Sequence, residues 1–419
     1  MTRIRFIEPP RHKLARAEDT LRLLLGYGLA AVFLWIVLTS GSARANDAFY
    51  ELGSEELAGR PGSVIRSETM PFSTDGATAS RILYRSVGLH GETIAVSGVL
   101  IKPVGGNDTN RPIVAWAHPT SGVATACAPS LSRGVYRQIQ GLEQLLQQGF
   151  AVVATDYPGL GGPGVHPYLI GDSEGRAVLD SVRAARNLLG EQAPTRFAVW
   201  GHSQGGQAAL YAGLLASTYA PELKLVGVAA AAPATDLSTL MHDDFASNGG
   251  KGLTALTLWS WSRIFDIKLD NIVDPNAMPT VDTLAGGCIE TIFDLLERRF
   301  EERPLAKEFL TVRDISAAEP WNDLLKRNTP GVLPKQFPIF ISQGLADGIV
   351  RPDVTISYVR RLCDNGSSVD FVTLPDVGHG FIARDTAKDA AKWIGDRFAN
   401  AAAPSTCAQF RRQPKVIER

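Results

Sequence analysis

The chain has 419 residues and a formal net charge of −1 at pH 7, with 45% hydrophobic and 20% charged residues. This composition is typical of a globular protein, and the length allows a large buried core and more than one domain. Long basic runs do not occur beyond the N-terminus, so the charge pattern gives no support for nucleic-acid binding. The sequence contains no internal repeat and no segment that indicates an obligatory protein partner.

The first 45 residues have the three parts of a secretory signal peptide. Basic residues within the first 22 positions precede the uncharged apolar run LLLGYGLAAVFLWIVL, and SARAND then supplies an A-x-A cleavage pattern that ends at Ala45. The apolar run of about 16 residues is shorter than the roughly 20 that cross a bilayer. We therefore predict a signal peptide over 1–45, cleaved near Ala45, and a secreted or periplasmic protein. If it is not cleaved, the segment would instead anchor the protein to a membrane.

Residues 46–80 are predicted to form a loosely structured lead-in, and 81–233 the first part of a sheet domain. RILYRSVG and TIAVSGVLI have strand character with no helix between them, which predicts an antiparallel start. The apolar runs PIVAWAH, FAVVATD, RFAVW and LKLVGVAAAAP predict further strands, and their continuous apolar character is typical of buried parallel ones. Helical spacing in GVYRQIQGLEQLLQQG and SEGRAVLDSVRAARNLLG places helices between strands. This alternation predicts an α/β fold with a mostly parallel sheet and helices on both faces.

The alternation breaks near Ala234, and residues 234–336 are mostly helical in character. It resumes over 337–419 with the strands FPIFISQG and VDFVTLP and two further helices. A segment that leaves a sheet and returns to the same sheet is a cap on that sheet and not a separate domain. An insertion this long is more often functional than structural.

The segment GHSQGG predicts a nucleophilic serine. It follows the strand RFAVW and precedes a helix of small residues, so Ser203 occupies the sharp strand-to-helix turn of a G-x-S-x-G elbow. Such a turn crowds its neighbours, which explains the glycines at Gly201 and Gly205. A serine hydroxyl is a weak nucleophile at neutral pH and needs a base, which an acid must in turn orient.

The base and the acid are expected after the serine in the chain. Of the two histidines that follow it, His379 lies in a glycine-flanked loop after the strand VDFVTLP, whereas His242 falls in the cap. We predict that His379 is the base. Asp347 follows the strand FPIFISQG, at the sheet edge where functional side chains gather, and is the predicted acid. Asp364 and Asp376 are the alternative candidates for the acid.

Ester or amide hydrolysis also needs hydrogen-bond donors for the oxyanion. One is predicted to be the backbone N–H of Gln204, directly after the serine. The other is predicted to come from the HPTSG loop, where Pro119 has no N–H and Thr120 is the better candidate. His118 is expected to orient that loop, and His202 to be a packing residue.

Four cysteines occur in the exported part of the chain, and an oxidising compartment favours two disulfides among them. They are Cys127, Cys288, Cys363 and Cys407. Sequence spacing alone permits three pairings. Neither CxxC nor HxxxH spacing appears in the sequence, so we predict no metal site.

These residues predict an exported serine ester hydrolase that cleaves acyl esters through an acyl-enzyme, with an ester or lipid as its substrate. A serine peptidase or amidase could use the same three residues, because the triad does not fix the leaving group. A non-catalytic binding protein on this fold would usually lack one of the three. Trp259 and Trp261 in the cap either bind acyl chains or a lipid interface, or pack as core, which is usual for aromatic residues at helical spacing.

Several long segments resemble the secretory lipase family of α/β-hydrolases, the group that includes yeast lipase A-type enzymes. They include VAWAHPTSGVATACAPS, FAVVATDYPGLGGPGVHPYL, WGHSQGGQAALYAG and QGLADGIV, and they run from about residue 60 to the C-terminus. The resemblance implies a triad of Ser203, Asp347 and His379. It also implies a helical cap over an acyl-binding pocket, and neither a metal nor an organic cofactor.

The resemblance further implies a disulfide between Cys127 and Cys288 and another between Cys363 and Cys407. The first would tie the HPTSG region to the cap. The sequence departs from the family at HPT, where relatives often have HGT. A proline fixes the backbone there and has no N–H to donate.

Overall fold

A computed structural model describes residues 48–71, 76–190, 192–243 and 250–411. The predicted signal peptide and its cleavage site at Ala45 lie outside these residues. Within the described residues, no helix has both the length and the apolar composition needed to cross a membrane.

Within the described residues, one sheet of nine strands runs through the molecule in the order β1-β2-β3-β5-β4-β6-β7-β8-β9. The strands are β1 Val64–Met70, β2 Ala77–Val87, β3 Thr93–Pro103, β4 Ile113–Ala117, β5 Ala151–Thr155, β6 Arg196–His202, β7 Lys224–Ala231, β8 Ile339–Gly344 and β9 Val369–Leu374. Strands β1, β2, β3 and β5 pair antiparallel, and the remaining pairs are parallel. The antiparallel start and the parallel centre agree with the sequence prediction, and this is the α/β-hydrolase arrangement.

Helices connect the parallel strands. The α-helices of the described residues are α1 Val135–Gln138, α2 Leu142–Gln147, α3 Gly171–Leu189, α4 Gln204–Tyr219, α5 Leu237–Asp243, α6 Gly250–Ile264, α7 Met278–Gly286, α8 Ile292–Glu301, α9 Trp321–Arg327, α10 Pro352–Asp364, α11 His379–Asp385, α12 Ala387–Phe398 and α13 Cys407–Arg411. Short 3₁₀ helices span Ser54–Leu57, Asp108–Asn110, Thr125–Cys127, Pro129–Leu131, Arg303–Ala306 and Ile315–Ala317.

The central strands are buried on both faces, which explains their continuous apolar sequence. In β4, Val114 and Trp116 pack into the hydrophobic cluster on one face of the sheet. Ile113 and Ala115 pack into the cluster on the other face. The end of β6 therefore lies in the middle of a covered sheet, and Gly201 pairs there with Ala117 of β4.

Two local expectations differ from the structure. The lead-in predicted over 46–80 contains the strand β1, which pairs with β2. The segment GVYRQIQGLEQLLQQG forms the two short helices α1 and α2 instead of one. The break falls at Gly141, whose φ of 78° lies in the left-handed region that glycine adopts readily.

Helices α5 to α9 occupy the chain between β7 and β8, where the cap is expected; its boundaries at 234 and 336 stay a prediction. In this segment Trp261 is fully buried and its Nε1 donates to the carbonyl oxygen of Tyr168 over 2.7 Å. Trp259 is partly exposed, with the guanidinium of Arg263 at 3.8 Å from its ring centroid. Trp261 thus belongs to the core, the more usual role of such a residue.

Two disulfides link distant parts of the chain. Cys127 bonds to Cys288, which joins the loop after β4 to the segment after α7. Cys363 bonds to Cys407, which joins the end of α10 to α13. These are the pairings that the family resemblance implies. The first one attaches the helical insertion to the loop that carries Thr120.

Candidate active site

Ser203 occupies a strained turn between β6 and α4, with φ 58° and ψ −120°. Glycine is required on both sides of the serine, because a side chain at either position would clash with backbone atoms. A Cβ on Gly201 would lie 2.1 Å from the carbonyl oxygen of Gly205, and one on Gly205 would lie 2.0 Å from that of Ala117. Both separations are far below van der Waals contact, so no other residue fits there without a shift of the backbone. The strain sets the serine hydroxyl at the C-terminal edge of the sheet.

The structure brings Ser203, His379 and Asp347 together. His379 Nε2 lies 2.8 Å from Ser203 Oγ, and His379 Nδ1 lies 2.8 Å from Asp347 Oδ2. His379 begins α11 beyond β9, and Asp347 lies in the loop after β8. An ionised carboxylate can only accept, so Nδ1–H donates to Asp347 and Nε2 accepts from the serine hydroxyl.

The rival residues lie elsewhere in the structure. Asp364 ends α10, and Asp376 is in the turn after β9 with φ 57°. The side chain of His242 is 61% exposed, and its Nδ1 lies 3.1 Å from a carboxylate oxygen of Asp314. None of the three is hydrogen-bonded to the serine or to His379 in the described structure.

Asp347 is buried and held by several donors. Its Oδ1 accepts from the N–H groups of Ile349 and Val350, each at 2.9 Å. Its Oδ2 accepts from Gln343 Nε2 at 3.1 Å as well as from the histidine. Burial acts to raise the pKa of Asp347, but the neighbouring His379 and the two N–H groups outweigh it, so the pKa is lowered. The carboxylate therefore stays charged and can stabilise an imidazolium.

His202 does more than pack. Its Nε2 donates to the carbonyl oxygen of His379 at 3.0 Å, and the two ring centroids are 5.0 Å apart. Burial lowers the pKa of His202 to about 3, so the ring stays neutral at pH 7. A neutral donor fixes the backbone of His379 without placing a second positive charge beside it.

The predicted oxyanion donors belong to the helix that follows the serine and to the loop after β4. Gln204 is the first residue of α4, so its N–H has no acceptor within the helix, whereas the N–H of Ser203 already donates to Ala231. Thr120 lies in the loop after β4, and its hydroxyl is 2.8 Å from that of Tyr168. Both ring nitrogens of His118 face backbone carbonyl oxygens, which fits the predicted role of orienting this loop.

A buried polar network next to the serine was not predicted from the sequence. Glu174 Oε1 accepts from Gln204 Nε2 at 2.7 Å and from the N–H of Leu169 at 2.9 Å. His166 Nε2 lies 3.0 Å from the same Gln204 nitrogen. The signal in the sequence is slight: Glu174 lies on the face of α3 that also carries the buried Ala177 and Val178.

A small, mainly apolar cavity of about 40 Å³ opens beside the serine. It is lined by Tyr168, Leu169, Ser203, Gln204, Ala234, Leu237, Leu240, Met241, Leu253, Ile349 and Val350. No charged side chain is among these lining residues. The described part of the chain also holds no group of three or more histidine, cysteine or carboxylate residues suited to a metal ion.

Comparison with known proteins agrees with this fold and identifies the family. The family model for secretory lipases matches residues 130–406. A secreted triacylglycerol lipase of Malassezia globosa is 26% identical over 387 residues, covering 86% of this chain and 81% of the relative. A Mycobacterium tuberculosis protein named a probable inactive lipase is 29% identical over 396 residues, covering 85% of this chain and 82% of the relative.

Among solved structures, the X-ray structure of Candida antarctica lipase A superposes with a TM-score of 0.72 and 22% identity, covering 87% of this chain and 89% of that one. That likeness concerns the fold. Because one relative carries the name of an inactive lipase, the hydrogen-bonded serine, histidine and aspartate of this chain matter for its own assignment. The chain belongs to the secretory lipase family and is a carboxylic ester hydrolase with the α/β-hydrolase fold.

Proposed function

We propose that the protein is an exported serine ester hydrolase in which Ser203, His379 and Asp347 form the catalytic triad. The observation that carries this proposal is the pair of 2.8 Å contacts from His379, one to the serine hydroxyl and one to the buried carboxylate. In this arrangement the imidazole has its lone pair on the serine side and its proton on the aspartate side.

In the first half of the reaction, Ser203 Oγ attacks the acyl carbonyl carbon while His379 Nε2 takes the hydroxyl proton. The carbonyl oxygen becomes an oxyanion, which accepts hydrogen bonds from the backbone N–H groups of Gln204 and Thr120. The intermediate collapses, the carbon–oxygen bond of the ester breaks, and the imidazolium returns its proton to the leaving alcohol. Asp347 stabilises the charged imidazole during these steps.

In the second half, a water molecule attacks the acyl-enzyme. His379 takes a proton from the water, and the new tetrahedral intermediate expels the serine oxygen, which recovers that proton. The products are a carboxylic acid and the free enzyme. These steps do not require a metal or an organic cofactor.

The cavity supports an uncharged acyl ester as the substrate. Its lining is mainly apolar and carries no charge, so it does not offer a charged partner to a peptide side chain. The cavity is small in this conformation, at about 40 Å³, and leucines of α5 line it. We infer a preference for short acyl chains over long ones, with longer chains requiring α5 and its leucines to move away from the serine.

Export is part of the proposal. It is supported by the signal-peptide pattern over 1–45, by the two disulfides, and by a relative that is named as secreted. Mass spectrometry of the mature N-terminus after expression in the native host would test it directly. A chain that begins just after Ala45 agrees with export followed by cleavage, whereas a retained segment would contradict cleavage and indicate a membrane anchor.

The hydrolysis of p-nitrophenyl esters from acetyl to palmitoyl tests the activity and the acyl preference together. Wild type is expected to peak at short chains, and Ser203→Ala to lose at least about a thousandfold in kcat on every ester. Ser217→Ala, at an exposed position of α4, serves as the matched control and should keep full activity. Undiminished turnover by Ser203→Ala would contradict the proposed nucleophile, and a peak at palmitoyl would contradict the short-chain preference.

A further inference from the structure

Glu174 is a fully buried carboxyl next to the catalytic machinery, and its contacts go to two different walls of the site. One contact is to the side chain of Gln204, the residue that follows the proposed nucleophile. The other is to the N–H of Leu169, whose side chain lines the cavity. A single carboxyl oxygen, Oε1, accepts both hydrogen bonds.

Through Leu169 and its neighbour Tyr168, Glu174 is also connected to Thr120, the second proposed oxyanion donor. Leu169 has φ 57°, a left-handed conformation that is strained for leucine and needs support from its surroundings. The preceding residue, Tyr168, has its hydroxyl 2.8 Å from Thr120 Oγ1. The position of that tyrosine hydroxyl therefore depends on the backbone that Glu174 holds.

The Gln204 side chain is fixed at both of its amide protons. His166 Nδ1 donates to the carbonyl oxygen of Pro158 at 2.9 Å, so its Nε2 is free to accept from Gln204. Burial lowers the pKa of His166 to about 3, which keeps this nitrogen an acceptor at neutral pH. The second amide proton of Gln204 goes to Glu174.

Stability alone does not account for a carboxyl at this position. Glu174 Oε2 and Gln204 Oε1 have no hydrogen-bond partner within the described residues, and a partly satisfied buried network is costly. Asp180, six residues later on α3, offers a contrast. Its two oxygens bind Ser86, Arg183 and the hydroxyl of Tyr219, as expected of a structural carboxylate.

We propose that Glu174 is a positioning residue that holds the two oxyanion donors, Gln204 and Thr120, at a fixed separation across the serine. The inference rests on the proposed function. Burial also raises the pKa of Glu174 to about 8, so near pH 7 the carboxyl is mostly neutral. It can therefore orient Gln204 without placing a negative charge beside the developing oxyanion.

The test compares variants with p-nitrophenyl butyrate as the substrate. Glu174→Met fills the volume but removes the acceptor, and kcat should fall about 10- to 100-fold with KM within about threefold of wild type. Glu174→Gln keeps an acceptor oxygen and should stay within about threefold of wild type. Asp180→Asn is the matched control: it should lower the melting temperature and leave kcat unchanged.

Tyr168→Phe provides a second route that removes only one hydroxyl. Its kcat should also fall. In the double variant with Glu174→Met, the fold-loss in kcat should be smaller than the product of the two separate fold-losses, because both changes act on Thr120. This variant keeps the inference testable if Glu174→Met does not fold.

Two outcomes would overturn the inference: a folded Glu174→Met with wild-type kcat, or a loss of activity confined to KM. If Glu174→Met does not fold, a Tyr168→Phe enzyme with wild-type kcat would overturn it as well. Failure of the proposed function is a separate result, because it appears as full activity in Ser203→Ala.

Discussion

His202 and His379 are joined by a hydrogen bond from the ring of one to the backbone of the other. His202 Nε2 donates to the carbonyl oxygen of His379 at 3.0 Å, while His379 Nε2 lies 2.8 Å from Ser203 Oγ. Neighbours in sequence, His202 and Ser203, thus hold the same residue from two sides. The elbow therefore positions the proposed base as well as the proposed nucleophile.

This relationship predicts a catalytic role for His202 through the position of His379. In His202→Phe the ring packing is retained but the donor is lost, so the backbone of His379 is free to shift. We expect kcat to fall about tenfold with little change in KM. His242→Ala, at an exposed histidine paired with Asp314, is the control and should keep wild-type kcat. Wild-type kcat in His202→Phe would show that the hydrogen bond does not matter for catalysis.

Crowding at the elbow predicts that Gly205 cannot be replaced by alanine. The added Cβ would lie 2.0 Å from the carbonyl oxygen of Ala117, so a strand or a helix must shift. We expect a loss of at least about 3 kcal/mol in the free energy of unfolding. Gly286→Ala, where a Cβ meets nothing within 4 Å, should be neutral or slightly stabilising. Thermal denaturation followed by circular dichroism measures both, and equal melting temperatures would contradict the argument.

The two disulfides are predicted to contribute unequally to stability. The Cys127–Cys288 bond spans 161 residues and the Cys363–Cys407 bond spans 44, so the first constrains the unfolded chain more. Replacing the first pair by serines should cost about 1 kcal/mol more than replacing the second. Chemical denaturation of the two double variants gives the comparison. A larger loss from the second pair would contradict the chain-entropy explanation.

Leu240 is predicted to limit the length of the acyl chain. It lies on α5 and lines the cavity beside the serine, so Leu240→Ala enlarges the space for the acyl group. We expect the ratio of kcat/KM for p-nitrophenyl octanoate to kcat/KM for p-nitrophenyl butyrate to rise about tenfold. This change corresponds to about 1.4 kcal/mol. Leu295→Ala, at an exposed leucine of α8, should leave the ratio unchanged. An unchanged ratio in Leu240→Ala would place the acyl chain elsewhere.

Glu174 is predicted to make stability decrease with increasing pH. Burial raises its pKa from an ordinary value of 4.5 to about 8, so between these values the folded state binds more protons than the unfolded state. Its contribution is therefore fully present below pH 4.5 and is lost as the pH rises to about 8, with a limiting slope of about 1.4 kcal/mol per pH unit.

Comparing wild type with Glu174→Gln by denaturation at pH 5 and pH 8 isolates this effect. The neighbouring titratable groups stay neutral over the range. Burial lowers the pKa of His166 to about 3 and raises the pKa values of Tyr157 and Tyr211 above their ordinary value. The stability of Glu174→Gln relative to wild type should be higher at pH 8 than at pH 5. The same difference at both values would show that the carboxyl does not titrate there.

Much of the fold could be predicted because its signals are local. Strands such as β4 and β6 are buried on both faces and are therefore continuously apolar, and the glycines around Ser203 follow from the turn itself. The strand β1 could not be predicted in this way. None of its residues VIRSETM is fully buried, and three of them are exposed. The strand joins the sheet through backbone hydrogen bonds to β2, which leave no apolar pattern in the sequence.

The residues of the site also differ in whether the sequence alone could identify them. Ser203, His379 and Asp347 each follow a predicted strand, so chain order was enough to propose them. Glu174 could not be identified, because an acidic residue near the start of a helix is ordinary and favourable there. Its burial and its contact with Gln204 arise only when α3 packs against α4, which sequence periodicity does not reveal.

Covalent labelling tests the central claim most directly. Diethyl p-nitrophenyl phosphate reacts with an activated serine and releases p-nitrophenol, and peptide mapping by mass spectrometry then locates the phosphoryl group. The account predicts one label per chain, on Ser203, with loss of ester hydrolysis in proportion to labelling and little labelling in His379→Ala. A label on another residue, or full hydrolysis by a chain labelled at Ser203, would contradict it.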